Sequence, residues 1–178
     1  LPSIYRNDLE SFTRSSAGYL FPDNTLKDYF RSEIQSIATD CLIVGISWMS
    51  MLNRRTNKAN SIPLLQLLQS FERQDIIFVN LQYGDVQSEI THAANLLGIP
   101  FLDDPSLDIF NDIDKLAALI SACDHVVTTP NLNVSLSGAL AKDTHFLLPK
   151  GGDRWRWGIS DDVSYWFDSV MIYRQEIV

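Results

Sequence analysis

The sequence has few of the residues that build metal centres or covalent catalysts. Its 178 residues include three histidines, His92, His125 and His145, and none of them has a neighbour at metal-ligand spacing. No Ser-His-Asp set and no nucleophile elbow can be recognised either. We therefore predict no bound metal and assign no catalytic residue.

Glycine-rich motifs, basic charge and long apolar runs are also scarce. Only Gly45 stands near the end of the first predicted strand, so the glycine fingerprint of NAD and FAD enzymes is missing. The 14 Lys and Arg against 22 Asp and Glu give a net charge of -8, which opposes binding to nucleic-acid phosphates. No apolar run approaches the roughly 18 uncharged residues of a membrane helix, so we expect no membrane span.

Cysteine is represented by Cys41 and Cys123, both at the start of predicted buried strands. A free thiol behaves there as a small hydrophobe, which favours a reducing, cytoplasmic location. The chain begins at Leu1 with neither an initiator methionine nor the regions of a signal peptide, and we interpret it as a fragment of a longer protein.

What the sequence does contain is a regular alternation of strands and helices. The continuous apolar run at 41–46 is typical of a strand covered on both faces. A helix opened by Ser61-Ile62-Pro63 follows it, and the alternation then repeats towards the end of the chain. Further strands are predicted at 75–81, 99–102, 124–129, 144–148 and 170–173, and further helices at 8–17, 24–39, 86–97, 112–122 and 131–141.

This alternation predicts an α/β fold with a Rossmann-like, doubly wound, mainly parallel sheet in the order 3-2-1-4-5. Residues 1–40 are expected to form a helical lead-in, and residues 41–178 a single compact unit. Right-handed crossovers place a topological switch point between the strand ending at Ser47 and the one ending at Thr129. Ligands bind in the crevice at such a point, so we expect the site there.

Two stretches beside that crevice suit an anion. In the first, residues 47–50 lead into a loop with Arg54, Arg55 and Lys58, the most basic segment of the chain. Arginine forks match phosphate oxygens, although a solvated surface loop is the alternative interpretation.

The second stretch runs from Thr128 to Ser135, at the start of the helix 131–141. The free N–H groups and the positive dipole end of a helix form an anion site, whereas plain N-capping by Asn131 needs no ligand. Leu132 and Leu136 are expected to face inward. The two stretches together indicate a diphosphate more strongly than either alone.

A third polar stretch, 103–114, is acidic. It offers the oxygen groups of a Ca²⁺ or Mg²⁺ site but lacks the spacing of a calcium-binding loop. Acidic capping of the helix 112–122 is the preferred interpretation.

Sequence pieces spread along the chain match one known pattern. The most specific is Asn80-Leu81-Gln82-Tyr83-Gly84-Asp85, and the others are 44–50, 108–112, 116–120, 137–140, 147–149, Trp155 and 174–175. Together they resemble the glycosyltransferase-like domain that follows tetratricopeptide repeats in bacterial proteins and is related to heptosyltransferase-like glycosyltransferases. The resemblance covers roughly residues 41–175.

The resemblance implies the C-terminal half of a GT-B glycosyltransferase, which binds a nucleotide-diphosphate sugar as substrate, with no separate cofactor. The implied acceptor is a protein or a glycan. GT-B enzymes usually keep the catalytic base in the N-terminal half, so this chain alone is predicted to be inactive. The implied donor contacts are Ser47, Trp48, Arg54, Arg55, Gln82, Tyr83, Asp108, Asp112, Thr128, Thr129, Asn131, Asn133 and Ser135.

Two departures from the pattern favour an alternative function. Many relatives have Asp, Ser or Thr at the positions of Pro130-Asn131, and heptosyltransferase-like members have histidine at Ser135. The alternative is a non-catalytic α/β module that serves assembly or regulation. A flavodoxin-like or receiver-type domain is a third interpretation, weakened because no acidic pair ends the first strand.

Overall fold

Six apolar segments of the chain form six parallel strands in one sheet. The computed structural model describes residues 2–8, 10–12, 17–50, 60–73, 75–150, 154–158 and 162–176. The strands are β1 (Leu42–Ser47), β2 (Ile76–Asn80), β3 (Phe101–Leu102), β4 (His125–Thr128), β5 (Thr144–Leu148) and β6 (Val170–Arg174). The helices are α1 (Pro2–Tyr5), α2 (Asn24–Ile37), α3 (Leu64–Gln69), α4 (Gln87–Leu97), α5 (Ile113–Ala122), α6 (Leu132–Ala139) and α7 (Arg154–Trp157).

The strand order is β3-β2-β1-β4-β5-β6, and each pair of neighbours is parallel. The predicted order 3-2-1-4-5 is therefore confirmed, and β6 extends the sheet beside β5. In this order β1 and β4 are neighbours, with Ser47 paired with Thr128. The predicted switch point thus lies between the last residues of these two strands.

Helices cover the sheet on both faces because successive strand residues point in opposite directions. On one face Ile43 and Ile77 pack with the buried side of α5 and with Phe30 and Ile34 of the lead-in helix α2. On the other face Val44, Ile46 and Phe78 belong to the core that α3 and α4 complete, with Leu64, Leu67, Leu68, Ile90 and Ala93. We call these the α5 face and the α3 face.

The lone glycine of β1 has a packing reason. A Cβ at Gly45 would lie 2.6 Å from Leu81 Cδ1 and 3.0 Å from Cys123 Sγ. The strand can therefore approach these two side chains only without a side chain of its own. Gly45 serves the core, in keeping with its place outside any phosphate-binding loop.

The predicted helix at 8–17 is not found in the residues of this segment that the structure describes. Residues 8, 10–12 and 17 form turns and bends, and residues 9 and 13–16 lie outside the described residues. The Asp8 carboxylate accepts a hydrogen bond from Ser11 N at 2.8 Å, and Ser11 Oγ donates to Asp8 O at 2.7 Å. These local side-chain bonds compete with helix formation, as Ser and Asp commonly do.

Two details at helix starts also differ from expectation. Pro63 occupies the N-cap position of α3 and makes no side-chain cap bond. Instead the Glu89 carboxylate of α4 accepts from Leu64 N at 3.2 Å, so a neighbouring helix supplies the cap. On α6, Leu132 is 52% exposed rather than inward-facing, because it stands at the helix start, beyond the end of the core.

Candidate functional site

Three polar side chains close a ring where β1 and β4 end. Asn131 Nδ2 donates to Ser47 Oγ at 2.9 Å, and Asn131 Oδ1 accepts from Thr128 Oγ1 at 3.0 Å. Ser47 Oγ and Thr128 Oγ1 are 2.7 Å apart. Ser47 donates to Thr128 when Thr128 donates to Asn131, and Thr128 Oγ1 also lies 3.0 Å from Thr129 O, a second acceptor for its one proton. Ser47 and Thr128 are fully buried, so the ring ties the two strands together at the switch point.

The same asparagine starts α6. Asn131 Oδ1 also accepts from Asn133 N at 2.9 Å, which confirms the N-capping interpretation. Asn133 is buried, and its Nδ2 donates to Leu81 O at 2.9 Å, at the end of β2. These bonds hold the first turn of α6 against the ends of β1, β2 and β4. A helix start that is held in this way can present its remaining N–H groups to an anion.

Gln82 and Trp48 fix the chain as it leaves β1. Gln82 is 1% exposed, and its Oε1 accepts from Trp48 N at 3.2 Å and from Met49 N at 2.9 Å. Trp48 is completely buried, and its Nε1 donates to Glu89 at 3.1 Å. Both side chains are thus engaged inside the protein, and donor contact by either stays a prediction.

A cavity of about 500 Å³ opens in front of α6, on the α5 side of the switch point. We call it the crevice cavity. Its Tyr83 and Phe110 rings are 5.3 Å apart between centroids, and Phe110 is 63% exposed. Its polar and charged lining residues are Ser50, Asn131, Asn133, Ser135 and Arg156, and its apolar ones include Leu81, Pro130, Leu132, Leu148 and Trp157.

A second cavity of about 420 Å³ adjoins the first and shares Tyr83 and Phe110 with it. We call it the acidic cavity, because four carboxylates line it and none of its described lining residues is a lysine or an arginine. It is built by the loops that follow β2 and β3, where Asn80 Nδ2 donates to Asp103 at 2.8 Å. The four acids are Asp85, Asp103, Asp104 and Asp108.

The two acids singled out in the sequence are both engaged locally. Asp108 lines the acidic cavity, and hydrogen bonds from the Asn111 side chain and backbone lower the pKa of its carboxyl. Asp112 caps α5 by accepting from Lys115 N at 2.9 Å, and its pKa is lowered by that bond and by the Lys115 ammonium. Acidic capping is therefore confirmed. Across the described parts of the chain no group of three or more His, Cys, Asp or Glu is arranged to hold a metal ion.

A third cavity, of about 500 Å³, lies on the α3 side of the switch point. We call it the polar cavity. It takes in Thr129, the residue after β4, while Pro130 next to it faces the crevice cavity. Thr128, by contrast, is fully buried in the ring, and donor contact by Thr128 or Thr129 stays a prediction.

Arg54 and Arg55 lie outside the described residues, so their part in a site stays a prediction. Arg156 is the described cation at the crevice cavity, and sequence reasoning missed it. The signal that could have found it is the run Arg154-Trp155-Arg156-Trp157, in which arginines alternate with tryptophans. Arg156 Cζ stands 5.3 Å from the ring centre of Trp157, a cation–π contact that holds it beside the buried ring.

These features define the class of the fold. The chain is an α/β protein with a Rossmann-like parallel sheet and a ligand-sized crevice at the switch point. It is similar in structure to the ADP-heptose lps heptosyltransferase II of E. coli, with a TM-score of 0.55 and 14% identity over 88% of this chain and 45% of that one. That likeness supports a GT-B-like fold.

In sequence, the chain is 28% identical to Protein FlbA of Caulobacter vibrioides over 177 residues, which are 99% of this chain. It spans only 28% of the length of FlbA. No protein-family model matches it. In the described part of the chain, no helix has both the length and the apolar character needed to cross a membrane.

Proposed function

We propose that the chain is the donor-binding domain of a GT-B-type glycosyltransferase and that it takes a nucleotide-diphosphate sugar at the switch point. The observation that carries the proposal is the crevice cavity, which joins a rigid helix start, an aromatic pair and an arginine at the edge where doubly wound sheets bind ligands. The structural likeness to a heptosyltransferase supports the same fold-level assignment.

Charge assigns the diphosphate to the crevice cavity rather than to its neighbour. Four carboxylates repel an anion from the acidic cavity, whereas α6 and Arg156 attract one to the crevice cavity. The aromatic pair Tyr83 and Phe110 stands between the two cavities, where a nucleobase can stack while its ribose hydroxyls reach Asp108.

The chemistry expected of such a domain is direct displacement at the sugar carbon without a bound metal. A general base must lie within about 3 Å of the acceptor hydroxyl. In the described residues around the crevice cavity the ionisable side chains are Tyr83 and Arg156, and neither is a suitable base. We therefore infer that a second domain supplies the base and that this chain alone transfers no sugar.

The wider setting is part of the same proposal. We infer a longer protein with tetratricopeptide repeats and a protein or glycan acceptor. A cytoplasmic location is supported by the thiols: Cys41 and Cys123 are both free, and burial raises the pKa of Cys123 to about 12. A thiol of that kind is inert and serves packing.

One observation favours the non-catalytic alternative. Ser47, Thr128 and Asn131 satisfy one another, and Asn133 is bonded to Leu81 O, so four polar groups expected to contact the donor are already paired. A module that kept the fold for assembly would need this ring for stability alone.

Thermal denaturation with UDP, GDP, ADP and CDP, each at millimolar concentration, separates the two functions. A diphosphate at about 100 times its dissociation constant stabilises the domain by roughly 2.7 kcal/mol, which raises the melting temperature by several degrees. The matched nucleosides without phosphate are the control and should give a much smaller shift. An unchanged melting temperature with all four diphosphates would contradict donor binding and favour the non-catalytic module.

A further inference from the structure

Arg156, which lines the crevice cavity, depends for its position on the residue that follows it. Arg156 is exposed, and its Cζ stands 5.3 Å from the centre of the Trp157 ring. An arginine loses side-chain freedom when it binds a phosphate, and a contact that already orders the guanidinium reduces that loss. The position of the Trp157 ring therefore affects how well Arg156 can bind an anion.

Trp157 is 1% exposed and belongs to a small core between α6 and the strands β5 and β6. Two of its contacts come from the sheet: the Phe146 ring lies 4.6 Å away between centroids, and Arg174 donates to Trp157 O at 2.6 Å. A third contact comes from the loop before β6, where the Phe167 ring lies 6.3 Å away. The strands fix the first two contacts, whereas the third depends on what holds Phe167.

A notch in α6 holds the Phe167 ring. A Cβ at Gly138 would lie 2.5 Å from Phe167 Cγ and 2.9 Å from Phe167 Cβ, which is too close for a side-chain carbon. The ring can therefore pack against α6 only because this position is glycine, although glycine is a weak helix former. Gly138 belongs to the matched sequence stretch 137–140, yet it lines none of the three cavities described above. The notch thus serves the seating of Phe167.

The lead-in also contacts Phe167. The Tyr19 ring stacks on the Phe167 ring at 6.1 Å between centroids, with the two planes 22° apart. Tyr19 N and Leu20 N both donate to Ala139 O, at 2.9 and 3.1 Å, and these bonds attach the lead-in to the end of α6. Phe167 is therefore held by two elements besides its own loop.

We propose that Phe167 is a positioning residue for the diphosphate site: seated in the notch at Gly138, it holds the Trp157 ring and, through it, the guanidinium of Arg156 at the crevice cavity. Phe167 lines none of the three cavities, so it acts through Trp157 and does not touch the ligand. The inference rests on the proposed function, because Arg156 must have an anion to bind.

The test measures the affinity of the whole chain for whichever of UDP, GDP, ADP and CDP binds the wild type best, by isothermal titration at two salt concentrations. Phe167→Ala should weaken binding roughly threefold or more, and so should Gly138→Ala, whose added methyl group displaces the ring. Both variants should also show the weaker salt dependence of Arg156→Ala, because a displaced guanidinium no longer meets the phosphates.

Two further measurements isolate the route through Arg156. Adding Phe167→Ala to Arg156→Ala should weaken binding by less than about 1.5-fold, since the contact that Phe167 supports is already lost. Phe71→Ala is the matched control, because Phe71 is also partly buried and its ring lies 5.0 Å from the Phe78 ring, in the core of the α3 face. It should lower the urea midpoint, as Phe167→Ala does, and keep the affinity and salt dependence of the wild type.

The outcomes separate the two proposals. If diphosphates bind and both Phe167→Ala and Gly138→Ala bind them like the wild type, the positioning role is wrong and the proposed function stands. The role is also wrong if Phe71→Ala weakens binding equally, or if Phe167→Ala has the same effect with and without Arg156. Should Phe167→Ala not fold, Gly138→Ala decides, because alanine favours the helix. If no diphosphate binds, the proposed function fails and the positioning role fails with it.

Discussion

The acidic cavity and the crevice cavity are neighbours of similar volume, about 420 and 500 Å³, and they share Tyr83 and Phe110. They differ in charge: four carboxylates line the first, whereas Arg156 and the start of α6 line the second. In a chain of net charge -8, the crevice cavity is thus a local exception. Size does not tell the two apart, but the sign of their charge predicts which one takes a diphosphate.

The two cavities are also held differently. The wall of the acidic cavity is made of local turns, such as the one in which the Asp108 carboxylate accepts a hydrogen bond from Asn111 N at 2.9 Å. The crevice wall depends on bonds between residues more than 80 positions apart, such as Ser47 with Thr128 and with Asn131. We therefore expect the loss of one hydrogen bond to lower the free energy of unfolding much more at the crevice cavity than at the acidic cavity.

The largest expected effect is that of Asn131→Ala. It removes the N-cap of α6 and leaves Ser47 and Thr128 with a broken ring, which should lower the free energy of unfolding by about 2–4 kcal/mol. Asn111→Ala, which removes the side-chain amide that donates to Asp108 and keeps the backbone bond, should cost less than about 1 kcal/mol. Urea unfolding of both variants measures the two losses in free energy of unfolding. Equal losses would show that the two cavities are held equally strongly.

The next effect concerns affinity. Arg156→Ala should weaken binding of the best nucleoside diphosphate roughly five- to tenfold, since a charge-assisted bond is lost from a solvent-accessible position. Asp85→Asn, on the acidic wall, should strengthen it less than about twofold, because the charge is exposed and screened by salt. Titration calorimetry at two salt concentrations checks both. A larger effect at Asp85 than at Arg156 would move the diphosphate to the acidic cavity.

The smallest effect is a pH dependence. The folded pKa of Asp112 lies below the ordinary 3.8 because of Lys115, so the unfolded state binds a proton first as the pH falls. Its stabilising contribution is therefore present above about pH 4 and is lost as the pH drops through the lower folded value. Asp112→Asn keeps a capping side chain but cannot ionise.

The Asp112→Asn variant should accordingly show a shallower loss of stability between about pH 5 and pH 3 than the wild type. Urea midpoints across this range supply the measurement. The ring of Ser47, Thr128 and Asn131 holds no group that titrates there, so Asn131→Ala should keep the slope of the wild type. Identical slopes for wild type and Asp112→Asn would show that Lys115 does not favour the ionised form.

Much of the site could be predicted where it depends on neighbours in sequence. Asn131 was a recognisable N-cap, and Asp112 preceded an amphipathic helix in the manner of an acidic cap. The crevice itself followed from the strand order. Phe110 and Arg156 could not be assigned to it, because they stand on loops and short helices whose path depends on packing.

The sequence by itself determined the strands, most of the helices and the switch point, since apolar runs, caps and crossover handedness act over short stretches or follow general rules. Only the tertiary structure decided that Thr128 is buried in the ring while Thr129 lines the polar cavity, and that Ser47 pairs with Asn131 84 positions away. The reason is geometric: a periodic pattern shows which side chains share a face, but strand register decides which distant groups come within hydrogen-bond reach.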